Sequence, residues 1–242
     1  PAPSPAAVLA PAETAAQRAP VAHVDRTDWP FVTLDPAQST DLDQAFTITR
    51  SGNDLLLHYA IADVAWFVDD GDAIDSEAWR RGATQDLPDG KAGLYPPVLS
   101  EGVASLLPGG PRPAVIFTVR VDPDGNVRLD GAERAIIRSR AKLAYDSVRD
   151  DELPTDFAAL GDRIQCAENR RGAARVDPPE QEVASLGDGR FQLAFRPRHV
   201  SEDRNAALSL ATNLAVADTL LAHRTGLFRV MAPPDDFAVS RL

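Results

Sequence analysis

The chain has 242 residues, enough for one large domain or two small ones, and its apolar share of 44% allows a sizeable core. A formal charge of −11 excludes a generally basic nucleic-acid coat, although a local basic channel is compatible with that sum. The single cysteine, Cys166, excludes an internal disulfide, fits a reducing compartment and reads as a packing residue. No run approaches the ~18 apolar residues of a membrane span, and the Ala/Pro-rich start lacks the basic and apolar regions of a signal peptide. With Pro1 first and Met231 the only methionine, the sequence reads as a fragment or a processed product.

Residues 1–24 carry few large apolar groups and read as a flexible linker or tail. Residues 31–34 form a first expected strand and residues 45–49 a second. Ser51-Gly52-Asn53 turns the chain into a third over residues 55–62. Residues 72–81 predict a helix with Asp72 as N-cap and Gly82 as its stop. An irregular Gly/Pro-rich stretch follows, with a short helix over residues 100–106. Residues 114–121 and 126–137 then pair across the turn Asp122-Pro123-Asp124-Gly125. Residues 141–148 read as helical, 156–174 as a longer helix, 191–195 as a strand, 201–223 as an Ala/Leu-rich helix and 227–231 as a last strand. Strands first and helices later point to an α+β fold, a mixed or antiparallel sheet with helices packed around it.

The concentrated chemistry lies between the first two strands. Asp35, Asp41 and Asp43 fall within nine residues, framed by apolar runs. Like charges so close repel, so such a loop is either a solvated turn or a cation site. Asp41 and Asp43 alternate with Leu42, which puts both carboxylates on one face of an extended backbone. Pro36 biases Asp35 to an extended conformation, and the loop between can fold back to bring Asp35 beside the pair. Oxygen ligands on one side with open positions suit Mg²⁺. A calcium EF-hand loop fails from either start, since the twelfth position is Phe46 or Gly52 and supplies no carboxylate.

Elsewhere the motifs of other chemistries are missing. His23, His58, His199 and His223 share no metal spacing, and His58 reads as a packed or hydrogen-bonded strand residue. There is no Gly-x-Gly-x-x-Gly, no phosphate loop and no Gly-x-Ser-x-Gly elbow. By itself Tyr145 reads as a half-buried helix residue, and Arg170 and Arg171 as a solvated helix end favoured by the dipole.

Taken in series, several stretches resemble the catalytic (RNB) domain of the ribonuclease II family, in a divergent bacterial-type form. The acidic loop resembles its Asp-…-Asp-x-Asp-Asp signature. His58-Tyr59-Ala60-Ile61-Ala62-Asp63-Val64 is similar to a characteristic strand. Asp75-Ser76-Glu77-Ala78, Arg81-Gly82-Ala83, Leu87-Pro88, Leu99-Ser100-Glu101-Gly102 and Ser105-Leu106 follow in the family's order. So do Lys142-Leu143-Ala144-Tyr145-Asp146 and Arg170-Arg171-Gly172-Ala173. The resemblance covers roughly residues 25–235 and makes 25–242 the N-terminal part of such a domain, ending before the family's domain does. It implies a metal-dependent 3′-to-5′ exoribonuclease that releases nucleoside 5′-monophosphates from single-stranded RNA, working as a cytoplasmic monomer away from membranes. On it, Asp35, Asp41 and Asp43 hold Mg²⁺ (or Mn²⁺) and the scissile phosphate and carry catalysis. Gln44 is a fourth ligand, Tyr145 stacks on a base, and Arg170, Arg171 and Asn213 contact RNA.

The departures bear on activity. The family's fourth acidic position is Gln44, whose amide oxygen can ligate a metal without adding charge. Asp86 replaces the aromatic that usually precedes the Leu-Pro pair, and the paired glutamates of the long helix fall near Ala206 and Ala207. The alternative is thus a weakened relative that binds RNA or a protein partner without cutting. A DNA or small-phosphoester hydrolase shares the loop chemistry.

Overall fold

The computed structural model describes residues 3–87, 90–173, 180–187 and 189–228. Its centre is a five-stranded sheet in the order β1-β8-β7-β4-β3. These strands are β1 (Val24–Asp25), β3 (Gln44–Ser51), β4 (Asp54–Ala62), β7 (Arg112–Val121) and β8 (Val127–Ile137). β3, β4, β7 and β8 pair antiparallel, and the short β1 joins β8 in parallel, so the sheet is mixed as expected. Both long hairpins close on turns that the sequence marks. Gly52 takes φ +63° between Ser51 and Asp54. In the other, Oδ1 of Asp122 accepts from the N–H groups of Asp124 and Asn126, and Gly125 sits at φ +77°. The backbone carbonyl of Arg163 lies 2.1 Å from where a Cβ on Gly125 would be, so no other residue fits that corner.

Period-two alternation decides which face each strand residue serves. Leu55, Leu57 and Tyr59 of β4 enter one core with Phe46, Val119 and Val121. That core is covered by α3 (Phe157–Arg170) and α4 (Val200–Ala222), whose Phe157, Leu160, Ile164, Leu208 and Ala211 are buried against it. Ala60, on the opposite face, joins Phe31, Leu42, Ala45, Leu106, Ile116 and Ile137 in a second core. His58 also faces that way. Its ring nitrogens lie 3.0 Å from Oγ1 of Thr49 and 3.2 Å from Oγ1 of Thr118, the hydrogen-bonded role expected of it.

The helix expected at 72–81 is α2 (Ala73–Arg81). The Asp72 carboxylate caps it, accepting from the N–H groups of Ile74 and Asp75 at 2.7 Å, and Gly82 ends it at φ +75°. Residues 98–103 form a short wide helical turn where a short helix was expected at 100–106.

Three expectations need correction, and one strand was missed. Residues 1–24 are not a linker throughout: α1 (Ala6–Ala15) packs Val8, Ala12 and Ala15 against Phe67, Ile74 and Leu99. Small residues that look featureless in sequence are what allow this close helix approach. Residues 141–148 are not a helix. They begin with β9 (Lys142–Ala144), which pairs in parallel with β2 (Thr33–Asp35) and then turns. β11 (Phe191–Arg196) is the expected strand, but its antiparallel partner β10 (Glu180–Ser185) was missed. Its charged residues hide the alternation. Cys166 is exposed on α3 rather than packed. The expected strand at 227–231 falls largely outside the described residues. Among those described, no helix is long and apolar enough to cross a membrane.

Candidate active site

β2 ends at Asp35 and β3 begins at Gln44, so the acidic loop hangs between two fixed strand ends. Val32 bridges to Phe46, and the Asp35 carbonyl accepts from Tyr145 N–H at 3.3 Å. The loop itself is stitched down. The Ser105 hydroxyl accepts from Leu42 N–H at 2.9 Å and donates to the Thr40 carbonyl at 2.8 Å. The Leu42 carbonyl accepts from Leu106 N–H, and Leu42 is fully buried. The Lys142 ammonium donates to the Ala37 carbonyl at 2.8 Å. With Leu42 driven inward, Asp41 and Asp43 are left on the opposite side, as the alternation in the sequence requires.

The three carboxylates sit in different surroundings. Oδ2 of Asp35 is buried and has no hydrogen-bond partner. Burial, with the negative charges of Asp43 and Asp41 behind it, lifts the Asp35 carboxyl to about 7, against a small opposing pull from Lys142. Asp43 is also raised, first by burial, with Asp41 adding to the effect and a hydrogen bond to its own backbone opposing it. Asp41 points to a hairpin of β5 (Gln85–Leu87) and β6 (Gly90–Ala92), where Lys91 Nζ lies 2.9 Å from its Oδ2 and 3.2 Å from Oε1 of Glu101. Burial alone would lower the Lys91 pKa, but the hydrogen bonds to Asp41 and Glu101 outweigh it and hold the ammonium above its usual value. A cavity of about 310 Å³ opens beside Asp41 and Asp43, walled by Ala62, Val64, Leu94 and Tyr95.

The other expected site residues divide. Oε1 of Gln44 accepts from the Tyr59 hydroxyl, so its ligating oxygen is already engaged. Burial pushes the Tyr59 phenol far above its usual range, which keeps that donor protonated. Tyr145 follows β9 rather than lying on a helix, and it is beside the acidic loop. Burial and then the Asp35 charge push its hydroxyl up to about 12, and that oxygen accepts from Asn205 Nδ2 at 2.9 Å. Arg170 is elsewhere: its guanidinium donates to the Asp124 carbonyl in the β7–β8 turn. That turn is at the far end of the sheet, roughly 25 Å of strand from the acidic loop. Arg171 is exposed beside it, just beyond the end of α3. Neither arginine joins the acidic site, because α3 runs away from it. Asn213 is on the exposed side of α4, two turns beyond the buried Asn205.

Sequence reasoning missed Lys91, Tyr59 and Asn205 as site residues. Asn205 is the clearest case, since a buried asparagine inside an Ala/Leu-rich helix needs partners, and it finds the Tyr145 hydroxyl and the Leu34 carbonyl. Lys91 carries no local signal, because its partners are 50 and 10 positions away.

No group of three His, Cys, Asp or Glu side chains among the described residues converges as a ready cage for an ion. The chemistry of the donor set nevertheless fits a hard cation. A buried carboxylate oxygen with no hydrogen-bond partner, with two further carboxylates acting on it, is the all-oxygen donor set that such an ion takes.

A mixed sheet backed by two helices, with an acidic loop at its mouth and a tyrosine beside it, defines a candidate phosphoester-handling domain. The RNB domain family matches residues 23–241, and the chain belongs to that family. Ribonuclease R of Mycoplasma pneumoniae is 29% identical over 232 residues, which are 87% of this chain and 31% of that protein. An Arabidopsis thaliana protein described as an inactive exonuclease is 38% identical over 127 residues, 52% of this chain and 12% of that one. Among solved structures, Mycoplasma genitalium RNase R in complex with ribose-methylated single-stranded RNA superposes with a TM-score of 0.81 at 25% identity. It covers 90% of this chain and 37% of that one. The chain spans about a third of the length of the curated ribonuclease R relatives it matches.

Proposed function

We propose that the chain supplies the acidic half of a metal-dependent 3′-to-5′ exoribonuclease that shortens single-stranded RNA to nucleoside 5′-monophosphates. The observation that carries this reading is the half-buried Asp35 carboxylate, whose buried Oδ2 has no hydrogen-bond partner and which feels the charges of Asp43 and Asp41. Asp35 and Asp43 would hold a divalent ion, Mg²⁺ or Mn²⁺, and Asp41 would join them on leaving Lys91. Such an ion neutralises phosphate charge and makes water a nucleophile at neutral pH. The protein's own part is to fix the carboxylates. Ser105 and Leu42 hold the loop, and the Lys142 ammonium holds its first half. Tyr145, set beside Asp35 by Asn205, offers a ring face to a base; stacking is worth ~1–3 kcal/mol and accepts every base. On this reading the protein works as a cytoplasmic monomer.

A second reading has its own support. Gln44 brings no charge, its oxygen is engaged by Tyr59, and Asp41 is neutralised by Lys91. That arrangement also suits a relative that binds RNA or a protein partner without cutting it. The two separate on single-stranded RNA labelled at the 5′ end and incubated with Mg²⁺ or Mn²⁺. Stepwise shortening from the 3′ end supports hydrolysis, and retention at full length supports binding alone. Asp43→Asn is expected to abolish turnover and preserve RNA binding in a filter or gel-shift assay. Undiminished turnover removes Asp43 from the mechanism.

A further inference from the structure

The β5–β6 hairpin brings one ammonium group to the acidic loop from outside it. Lys91 Nζ is 2.9 Å from Asp41 Oδ2 and 3.2 Å from Glu101 Oε1, so one cation is shared between two carboxylates on different segments. Asp41 follows Thr40, whose carbonyl is held by Ser105, so the backbone of the loop stays put while the Asp41 side chain can choose its partner. The choice is between Lys91 on one side and Asp35 with Asp43 on the other, and only a cation would draw it toward two like charges. Glu101 remains for the ammonium in either case.

We infer that Lys91 is a resident counter-ion for Asp41 that competes with a divalent ion for this carboxylate, with Glu101 receiving the ammonium when Asp41 turns inward. The inference rests on reading the acidic loop as an ion site. It makes Lys91 a positioning residue that sets ion affinity through Asp41. The side chains of Lys91, Asp41 and Glu101 are 30%, 41% and 33% exposed. A pair so exposed is a weak opponent, adjusting affinity rather than blocking the site.

The test is Mn²⁺ binding to the intact chain without RNA, read from the paramagnetic resonance signal of the free ion. Lys91→Met is expected to tighten Mn²⁺ by about two- to fivefold, the range set by an exposed ion pair. Lys91→Arg, which keeps the charge, is expected to bind as the native chain does. In an Asp41→Asn background, Lys91→Met is expected to change nothing. Equal tightening with and without Asp41 would show a simple through-space charge effect and overturn the competition. Equal Mn²⁺ affinity in the native and Lys91→Met chains would also overturn it, while leaving the ion site itself intact. No Mn²⁺ bound by either chain would overturn both the site and the inference. Melting curves for each variant confirm that folded proteins are being compared.

Discussion

Asp35 is where a single residue sets a measurable property of the whole chain. Unfolded, its carboxyl loses a proton near pH 4; folded, it does so at about 7. Between those values the folded state binds more protons than the unfolded one, so stability falls as pH rises through the window. Without divalent ions, thermal melts of the native chain are expected to drop from pH 4 toward pH 7 by an Asp35 contribution of roughly 1–3 kcal/mol, after allowance for its partial exposure. Asp35→Asn is expected to remove that slope and raise the melting temperature at pH 8. Saturating Mg²⁺ is expected to flatten the slope in the native chain alone. A native chain as stable at pH 7.5 as at pH 5, with Asp35→Asn no different, would contradict the placement of this carboxylate. The three aspartates were legible in the sequence because Asp-x-Asp alternation is local. The groups around them were not, since Lys91 reaches Asp41, Ser105 the loop backbone and Asn205 the Tyr145 hydroxyl only through tertiary contacts.

At the scale of elements, the acidic loop acts as a rigid connector. Leu42 is its anchor, fully buried in the core of Phe31, Ala45, Leu106 and Ile137. Leu42→Ala is expected to cost about 2–5 kcal/mol in urea unfolding, from lost burial and the cavity left behind. It is also expected to weaken ion binding, since the Leu42 side chain seats the loop segment between Asp41 and Asp43. A cost under about 0.5 kcal/mol would mean that the loop lies on the surface. The elements with strict local signals were readable: α2 from its Asp72 cap and Gly82 stop, and the hairpins from their glycine turns. β9 was not. Residues 142–144 have helix-compatible composition and become a strand only because β2 offers an edge to pair with, so tertiary pairing overrides local preference.

On the scale of the molecule, the helix near the N-terminus belongs to the folded body. α1 seals a third core made with α2 and the wide turn at 98–103, and the Arg18 guanidinium donates to Asp69 and to the Trp66 carbonyl. Ala12, fully buried there, has no room for a larger side chain. Ala12→Leu is expected to cost about 1–3 kcal/mol by overpacking. A change within ±0.5 kcal/mol, as at an unconstrained surface position, would return this segment to the status of a tail. The linker reading failed here because alanines signal neither burial nor exposure by themselves.

The β2–β9 pair has a consequence for the order of events in folding. Its register joins Thr33 to Lys142 and Asp35 to Ala144, more than a hundred positions apart. Closing a loop of that size is entropically costly before any contact rewards it, and parallel pairing of distant segments is slow. The local hairpins are therefore expected to assemble ahead of it, and the backbone around Asp35, like the equally distant β1–β8 pair, is expected to be fixed late. The polypeptide gains its shape first and its chemistry afterwards, once the segment carrying Tyr145 has come home.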